Sequence, residues 1–296
     1  MSTRSGFVAI CGRPNVGKST LINSIVGQKV AIVSDKPQTT RRAVRGVANG
    51  PDWQLVLVDL PGVQKPRDEL TGRMQRRVEH ELTDADAALV VVNAQQGVGG
   101  PGDRFIANLL SRSPVPLVVA VNKIDGCRVP AVAEALTSAE DLFGERADYF
   151  PVSARTGKGV PALVDHTVSM LPEGPFYFGA GERSDQTEAI MFAELVREQV
   201  LSRTRQEVPH AVEVEVGEID TSRDEVVVVR AHVWVETESQ KGIVIGARGQ
   251  KIKQIGTGAR RELERRLGTR VHLDLSVRVR RHWRDEARLL DRLGIE

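Results

Sequence analysis

Gly12-Arg13-Pro14-Asn15-Val16-Gly17-Lys18-Ser19 lies between an apolar run at 7–11 and the helix-forming Leu21-Ile22-Asn23-Ser24-Ile25. The spacing G-x-x-x-x-G-K-[ST] after a strand and before a helix is that of a phosphate-binding loop. Gly12 and Gly17 lack a Cβ, so the backbone can curl until its N–H groups point inward at an anion. A helix opening near Lys18 adds the positive end of its dipole. Lys18 is placed to reach β- and γ-phosphates, and the Ser19 hydroxyl, beside Thr20, to ligate Mg²⁺. The chemistry implied is the binding of a nucleoside triphosphate.

Base choice falls to Asn122-Lys123-Ile124-Asp125, directly after the apolar residues 117–121. The Asp125 carboxylate can accept from guanine N1–H and the 2-amino group. Adenine has no donors there and would leave the acceptor unpaired. Lys123 can lay its stem along the purine face, and Asn122 can brace neighbouring loops. Ser153-Ala154-Arg155 would complete a guanine site, with the Ala154 N–H on O6. Asp59-Leu60-Pro61-Gly62 follows a further apolar run at 55–58. Asp59 is placed to act on Mg²⁺ through its water shell, and the Gly62 N–H to meet the γ-phosphate. Of the threonines in Pro37-Gln38-Thr39-Thr40-Arg41, Thr40 is favoured by position to close onto Mg²⁺ and the γ-phosphate. The candidate metal set is therefore Ser19, Thr40 and Asp59, and the candidate catalytic set includes Lys18, Thr40 and Gly62. Val63 follows Gly62, and valine cannot orient an attacking water as a glutamine does.

These motifs need a sheet whose strand ends converge. Apolar, β-branched runs at 7–11, 55–58, 87–92, 117–121 and 149–152 read as buried parallel strands. Helical stretches at 17–25, 70–82, 104–110 and 130–143 separate them. The alternation implies an α/β, doubly wound, mostly parallel sheet, with an antiparallel edge strand near 43–48. The Pro/Gly-rich stretch 171–179 marks a change of order. Beyond it come an amphipathic helix at 187–205, strands at 211–219 and 225–236, helices at 241–245 and 250–267, and a strand at 270–279. This α-β-β-α-α-β order makes a smaller α+β domain. The expected division is a nucleotide domain over 1–175, a linker over 176–186, and a second domain with a tail over 187–296.

Residues 240–296 hold 15 Lys+Arg against 7 Asp+Glu, a net of +8, while the remainder holds 26 against 32, a net of −6. A basic end on an acidic body suits a polyanion partner. Within that end, Gly246-Ala247-Arg248-Gly249 forms a G-x-x-G turn between two helices, the mark of a type II KH domain in this element order. Two glycines permit close approach of an RNA backbone, and Lys241, Arg248, Lys251 and Lys253 add charge. A KH groove takes single-stranded RNA of about four nucleotides. With 4 % aromatic residues no large stacking platform is expected. Trp234 reads as a core residue, and Trp283, in Arg280-Arg281-His282-Trp283-Arg284, is a candidate RNA contact. Cys11 and Cys127 make no disulfide framework, which suits a reducing compartment, and the six histidines show no metal spacing.

The five ordered motifs resemble those of translation-factor-related GTPases, and Val63 those of GTPases with a hydrophobic residue at that position. Several of these use the P-loop asparagine, here Asn15, to hold a K⁺ ion, which adds Asn15 to the catalytic set. Over nearly its whole length the chain resembles the Era family. The markers are the loop at 12–19, Pro37-Gln38-Thr39-Thr40-Arg41, Leu171-Pro172-Glu173-Gly174-Pro175, Glu207-Val208-Pro209-His210 and the stretch Ser239 to Gly249. The resemblance implies slow hydrolysis of GTP to GDP with Mg²⁺, binding to the 3′ end of 16S ribosomal RNA, and a role in 30S subunit assembly. It also implies a cytoplasmic monomer, partly peripheral at the inner face of the cell membrane. An RNA chaperone with a vestigial GTP site and a tRNA-modifying GTPase are the alternatives. Leu60 replaces the family's usual threonine, and the glycine-rich segment 95–102 has no assigned role.

Overall fold

Apolar β-branched runs supply the strands of a six-stranded sheet in a computed structural model that describes residues 2–36, 39–61, 67–111, 113–205, 208–222 and 225–295. The strands are β1 (Arg4–Cys11), β2 (Val44–Asn49), β3 (Trp53–Asp59), β4 (Ala87–Asn93), β5 (Leu117–Asn122) and β6 (Ala147–Pro151). Their order is β2-β3-β1-β4-β5-β6. Only β2, at one edge, runs antiparallel to its neighbour. Every residue of β4 is buried, as expected of a strand covered on both faces.

Helices supply the covers. α1 (Lys18–Val26) and α5 (Val160–Ser169) pack Leu21, Ile22, Leu163 and Val168 on one face. α2 (Glu69–Asp84), α3 (Pro101–Leu110) and α4 (Val129–Phe143) pack Val78, Ile106, Ala139 and Phe143 on the other. Each fully buried Val or Leu contributes about 1.5–3 kcal/mol. α5 was not anticipated from sequence. The parallel strands end together, so Cys11, Asp59 and Asn122 deliver their loops to one edge, where such sheets bind ligands.

Close contacts divide the chain into one unit of Met1–Ala31, Thr40–Arg67 and Thr71–Asp185 and a second of Ile32–Thr39, Asp68–Leu70 and Gln186–Glu296. The stretch expected as a linker belongs to the first unit as far as Asp185. Its backbone is bound there: Tyr177 and Phe178 N–H donate to Gln54 Oε1 at 2.7 and 2.9 Å, and Val47 N–H donates to Arg183 O at 2.9 Å.

The second unit contains α6 (Glu188–Arg203), α7 (Val208–Ala211), β7 (Glu213–Asp220), β8 (Val226–Val235), α8 (Glu238–Ile245), α9 (Gln250–Leu267), β9 (Arg270–Val279) and α10 (Ala287–Arg292). The sheet order is β7-β8-β9, with β8 antiparallel to β7 and parallel to β9. A parallel pair needs a crossover, which α8 and α9 provide. Thr237 and Gln240 form a reciprocal capping box at the start of α8.

Two expectations are corrected here. α6 is not amphipathic: Met191 to Glu198 are all buried, charged residues included. One side packs apolar residues into a core shared with β7, β8 and α9, while Arg197 and Glu198 bind the backbone of the segment Ile32–Thr39. Trp283 is not exposed to RNA. It is 0 % exposed and donates its Nε1–H to Ala211 O at 2.8 Å. A buried indole needs such an acceptor. Trp234 is buried too, with its Nε1–H on Glu215 Oε2 at 2.9 Å.

Candidate functional site

The first strand ends in the phosphate loop. Gly17 has φ +103°, and a Cβ there would overlap Asn122 Nδ2, so conformation and space both demand glycine. Asn15 also takes a left-handed φ of 65°, which asparagine tolerates better than most residues. Its carbonyl accepts from Lys123 Nζ at 2.7 Å, and its side chain is exposed. Lys18 is buried, with Nζ donating to Gly12 O at 3.0 Å and Arg13 O at 3.5 Å. Burial lowers its pKa and nearby Asp59 opposes that. Thr20 lies in the first turn of α1 and Val16 is fully buried beneath the loop.

Three hard oxygens converge beside Lys18. Ser19 Oγ donates to Asp59 Oδ2 at 2.8 Å, Thr40 Oγ1 donates to the same oxygen at 3.1 Å, and the two hydroxyls are 3.3 Å apart. Asp59 is fully buried at the end of β3. A carboxylate and two hydroxyls around one point suit Mg²⁺, which prefers oxygen donors and keeps waters of its own. Leu60 is fully buried and Pro61 buried beside it. Gly62, Val63, Pro37, Gln38 and Glu207 lie outside the described residues.

The guanine motif braces the phosphate loop. Asn122 Nδ2–H donates to Val16 O at 2.9 Å, and Asn122 Oδ1 accepts the Ala154 N–H at 2.9 Å. That second bond differs from expectation: the Ala154 N–H placed on O6 by sequence reasoning is here given to Asn122, because a buried amide must find a partner. Ser153 Oγ donates to Asp125 Oδ1 at 2.7 Å, and Arg155 pairs with Asp125 Oδ2. The Ser153 hydrogen bond, with help from Arg155, holds the Asp125 carboxyl below the ordinary carboxylate range, so it stays an acceptor. Burial, then Arg13, lowers the pKa of Lys123. Cys11 is buried and its thiol is pushed up to about 12, an inert core residue.

Arg13 shows what the glycine-rich segment does. Its guanidinium donates to Asp103 Oδ1 at 3.1 Å, to Gln96 Oε1 at 2.7 Å and to Gly97 O at 3.4 Å. Asp103 is 1 % exposed in the first turn of α3 and also accepts the Gly99 N–H at 3.2 Å. A Cβ at Gly102 would press on Arg13 Cβ at 3.2 Å. Sequence reasoning missed Asp103. The signal was the run of glycines beside a lone acidic residue opening a helix.

In the second unit α8 ends at Gly246 with φ +73°, where a Cβ would meet Lys251 Cβ at 2.6 Å. Ala247 and Arg248 are exposed, and Arg248 is left-handed at φ 50°, as is Gly249 at φ 74°. Lys253 is exposed, whereas Lys241 and Lys251 are half-buried. A groove of about 380 Å³ continues between α9 and β9, lined by Ile252, Lys253, Gly256 and Thr257 and by His272, Leu273 and Leu275. Its apolar floor and cationic lip suit bases below and phosphates above. Gly256 lies on the groove floor, where a Cβ would stand in ordinary contact with Leu275 Cδ1 at 3.5 Å and a longer side chain would extend into the groove. Sequence reasoning missed these floor residues, whose signal was Gly256 facing an alternating strand.

Comparison with known proteins finds both domains. A family profile described as a 50S ribosome-binding GTPase matches residues 7–123, and a KH domain profile matches residues 207–284. "GTPase Era" of Mycobacterium avium (strain 104) is 42 % identical, and that of Mycobacterium tuberculosis (strain CDC 1551 / Oshkosh) 43 %, each over 98 % of both chains. Among solved structures, Era in complex with MgGDPNP and nucleotides 1506–1542 of 16S ribosomal RNA matches with a TM-score of 0.94 and 35 % identity over 99 % of each chain. An Aquifex aeolicus Era variant bound to GDP and AlF4⁻ matches with a TM-score of 0.91 and 34 % identity, again over 99 % of each. A GTPase domain joined to a KH domain, matched along nearly the full length of relatives 42 % and 43 % identical, leaves one assignment: this chain belongs to the Era family of GTPases.

Proposed function

We infer that this GTPase is a switch that holds the 3′ region of 16S ribosomal RNA and assists assembly of the 30S subunit. The observation that supports this is the presence on one chain of a convergent Ser19, Thr40 and Asp59 oxygen set and a G-x-x-G groove within the basic stretch 240–296. The solved relative carrying both MgGDPNP and 16S nucleotides supports the same pairing of ligands. An intact oxygen set speaks against a vestigial nucleotide site. Sequencing RNA crosslinked to the protein in cells tests the reading. A peak at the 16S 3′ end is expected, and reads scattered over unrelated transcripts would overturn it.

The residues divide the work. Backbone N–H groups between Gly12 and Ser19 cradle the phosphates, and Lys18 supplies fixed positive charge. Ser19 and Thr40 would hold Mg²⁺ by their hydroxyls and Asp59 through the ion's water shell, and the bound ion would supply positive charge against the phosphates. Asp125 reads the guanine edge and Lys123 lies on its face. With Val63 in place of a glutamine, water alignment is left to backbone groups, Gly62 among them, and to the charge around the γ-phosphate. Asn15, exposed on the loop, offers an amide oxygen suited to K⁺. Hydrolysis is therefore expected to be slow and faster in K⁺ than in Na⁺. Turnover assays at matched ionic strength check this, and equal rates in the two salts would remove the K⁺ role.

Lys241, Arg248, Lys251 and Lys253 grip RNA phosphates, while Gly246 and Gly249, with Ala247 between, let the backbone approach. Among the described residues no helix is long and apolar enough to cross a membrane. The proposal extends to a cytoplasmic monomer with part of it peripheral at the membrane. Vesicle flotation and sedimentation check those two points.

A further inference from the structure

Arg197 lies in the middle of α6 and is 0 % exposed. Three carboxylates share its surroundings: Glu213 at 0 % exposure, Glu194 at 7 % and Glu198 at 8 %. The guanidinium donates to Glu194 Oε2 at 2.6 Å and Oε1 at 3.2 Å, and its Nε lies 3.7 Å from Glu213 Oε1. Burial presses its pKa down, and Glu194 and Glu213 more than reverse this, so the charge persists. Buried ion clusters of this kind are poor devices for stability, since desolvation offsets most of their attraction. Their partners therefore carry the information. Arg197 Nη2 also donates to the Thr39 carbonyl, and Glu198 Oε1 accepts the Val33 N–H at 2.9 Å. α6 thus fixes the backbone at both ends of the segment 33–39 within the second unit.

The residue after Thr39 is Thr40, whose hydroxyl joins Ser19 and Asp59. A peptide group is planar. Holding the Thr39 carbonyl therefore restrains the plane that contains the Thr40 nitrogen and Cα, and narrows the positions from which the Thr40 hydroxyl can reach the site. We propose that Arg197 is a positioning residue for GTP hydrolysis, acting from the second unit through the Thr39 carbonyl on the placement of Thr40. The proposal rests on the reading of Thr40 as the threonine that meets Mg²⁺ and the γ-phosphate. It makes the hydrolysis rate depend on a helix of the RNA-binding unit through a single peptide group.

The test uses the full chain and four proteins: parent, Arg197→Lys, Thr40→Ala and the double variant. Lysine keeps the charge opposite Glu194 and Glu213 but loses the planar fork that also reaches the carbonyl. In Arg197→Lys the GTP kcat should fall about tenfold, as misplacement of a reacting group does. GDP affinity, RNA affinity and melting temperature should stay near parental values. Because both residues act through one contact, the double variant should hydrolyse no more slowly than Thr40→Ala. Losses that multiply in the double variant, or a parallel fall of GDP affinity and kcat in Arg197→Lys, would mark a merely structural role and overturn the proposal. A Thr40→Ala loss beside a parental rate in Arg197→Lys would overturn this inference alone. A parental rate in Thr40→Ala would overturn the reading of Thr40 and this inference with it. If Arg197→Lys does not fold, Arg197→Gln, which also lacks the guanidinium fork on the Thr39 carbonyl, takes its place in the same cycle and must show the same kcat loss with GDP affinity retained. Its absence would count against the proposal.

Discussion

Asp125 shows how much one carboxylate can decide. Ser153 Oγ at 2.7 Å and the Arg155 guanidinium leave it oriented and ionised. Both its lone-pair directions then suit a purine that presents two donors on adjacent atoms. In Asp125→Asn one acceptor becomes a donor. Guanine would then face a donor with a donor, whereas the 2-oxo group of xanthine would be met by the new amide. GDP affinity should fall at least about 100-fold and xanthosine diphosphate affinity should rise, because sites built on specific hydrogen bonds reject mismatches strongly. Titration of the two fluorescent nucleotides against the variant checks this. Unchanged GDP affinity would remove Asp125 from the base site. Arg13 makes a different point at the same scale. It falls inside the motif that names the loop, yet its work is to tie that loop to buried Asp103.

Elements were legible where pattern and partner coincide. The β-branched runs gave the parallel strands to within a few residues, and the edges of α9 and β9 fall at Gln250, Leu267, Arg270 and Val279 as glycine punctuation suggests. α6 was misread because its polar residues are satisfied by buried partners far along the chain, Thr39 and Val33 among them, and no local period reports that. Trp283 was misread for the same reason, since its acceptor is Ala211 O. β8 carries an expectation of its own. His232 Nδ1 lies 2.7 Å from Ser276 Oγ on β9. Burial first, then Arg278, holds its pKa below the ordinary 6.5 against the pull of Glu215 and Asp274. The native state therefore binds fewer protons than the unfolded state just below pH 6.5. Stability should decline as pH falls from there, by at most about 1.4 kcal/mol per pH unit, and level off below the native pKa. His232→Gln should lose this decline. Urea unfolding of both proteins between about pH 7.5 and 5 measures it, and parallel curves would contradict it.

For the whole molecule the net charge of +2 predicts almost no attraction to RNA, and its distribution predicts the reverse. The +8 of residues 240–296 stands against −6 in the rest, so an RNA strand is drawn to the basic end and repelled elsewhere. Within that end Lys241, Arg248, Lys251 and Lys253 flank the G-x-x-G turn in sequence, and Lys253 lines the groove together with Arg260. Each phosphate they neutralise releases counterions, giving a slope of log affinity against log salt of about −0.7 per contact for single strands. Four contacts give a slope of about −3 for a short oligonucleotide that fills the groove. Lys253→Gln should reduce the slope by about 0.7 and weaken all sequences alike, because a phosphate contact positions the strand without reading it. Gly256→Leu should instead leave the slope alone and weaken binding by filling the floor on which bases rest. A salt slope set by the total charge, near zero and indifferent to Lys253, would mean that RNA binds away from the G-x-x-G edge. A slope that changes with Lys253 while affinity falls in Gly256→Leu would place phosphates on the lip and bases on the floor of the same groove.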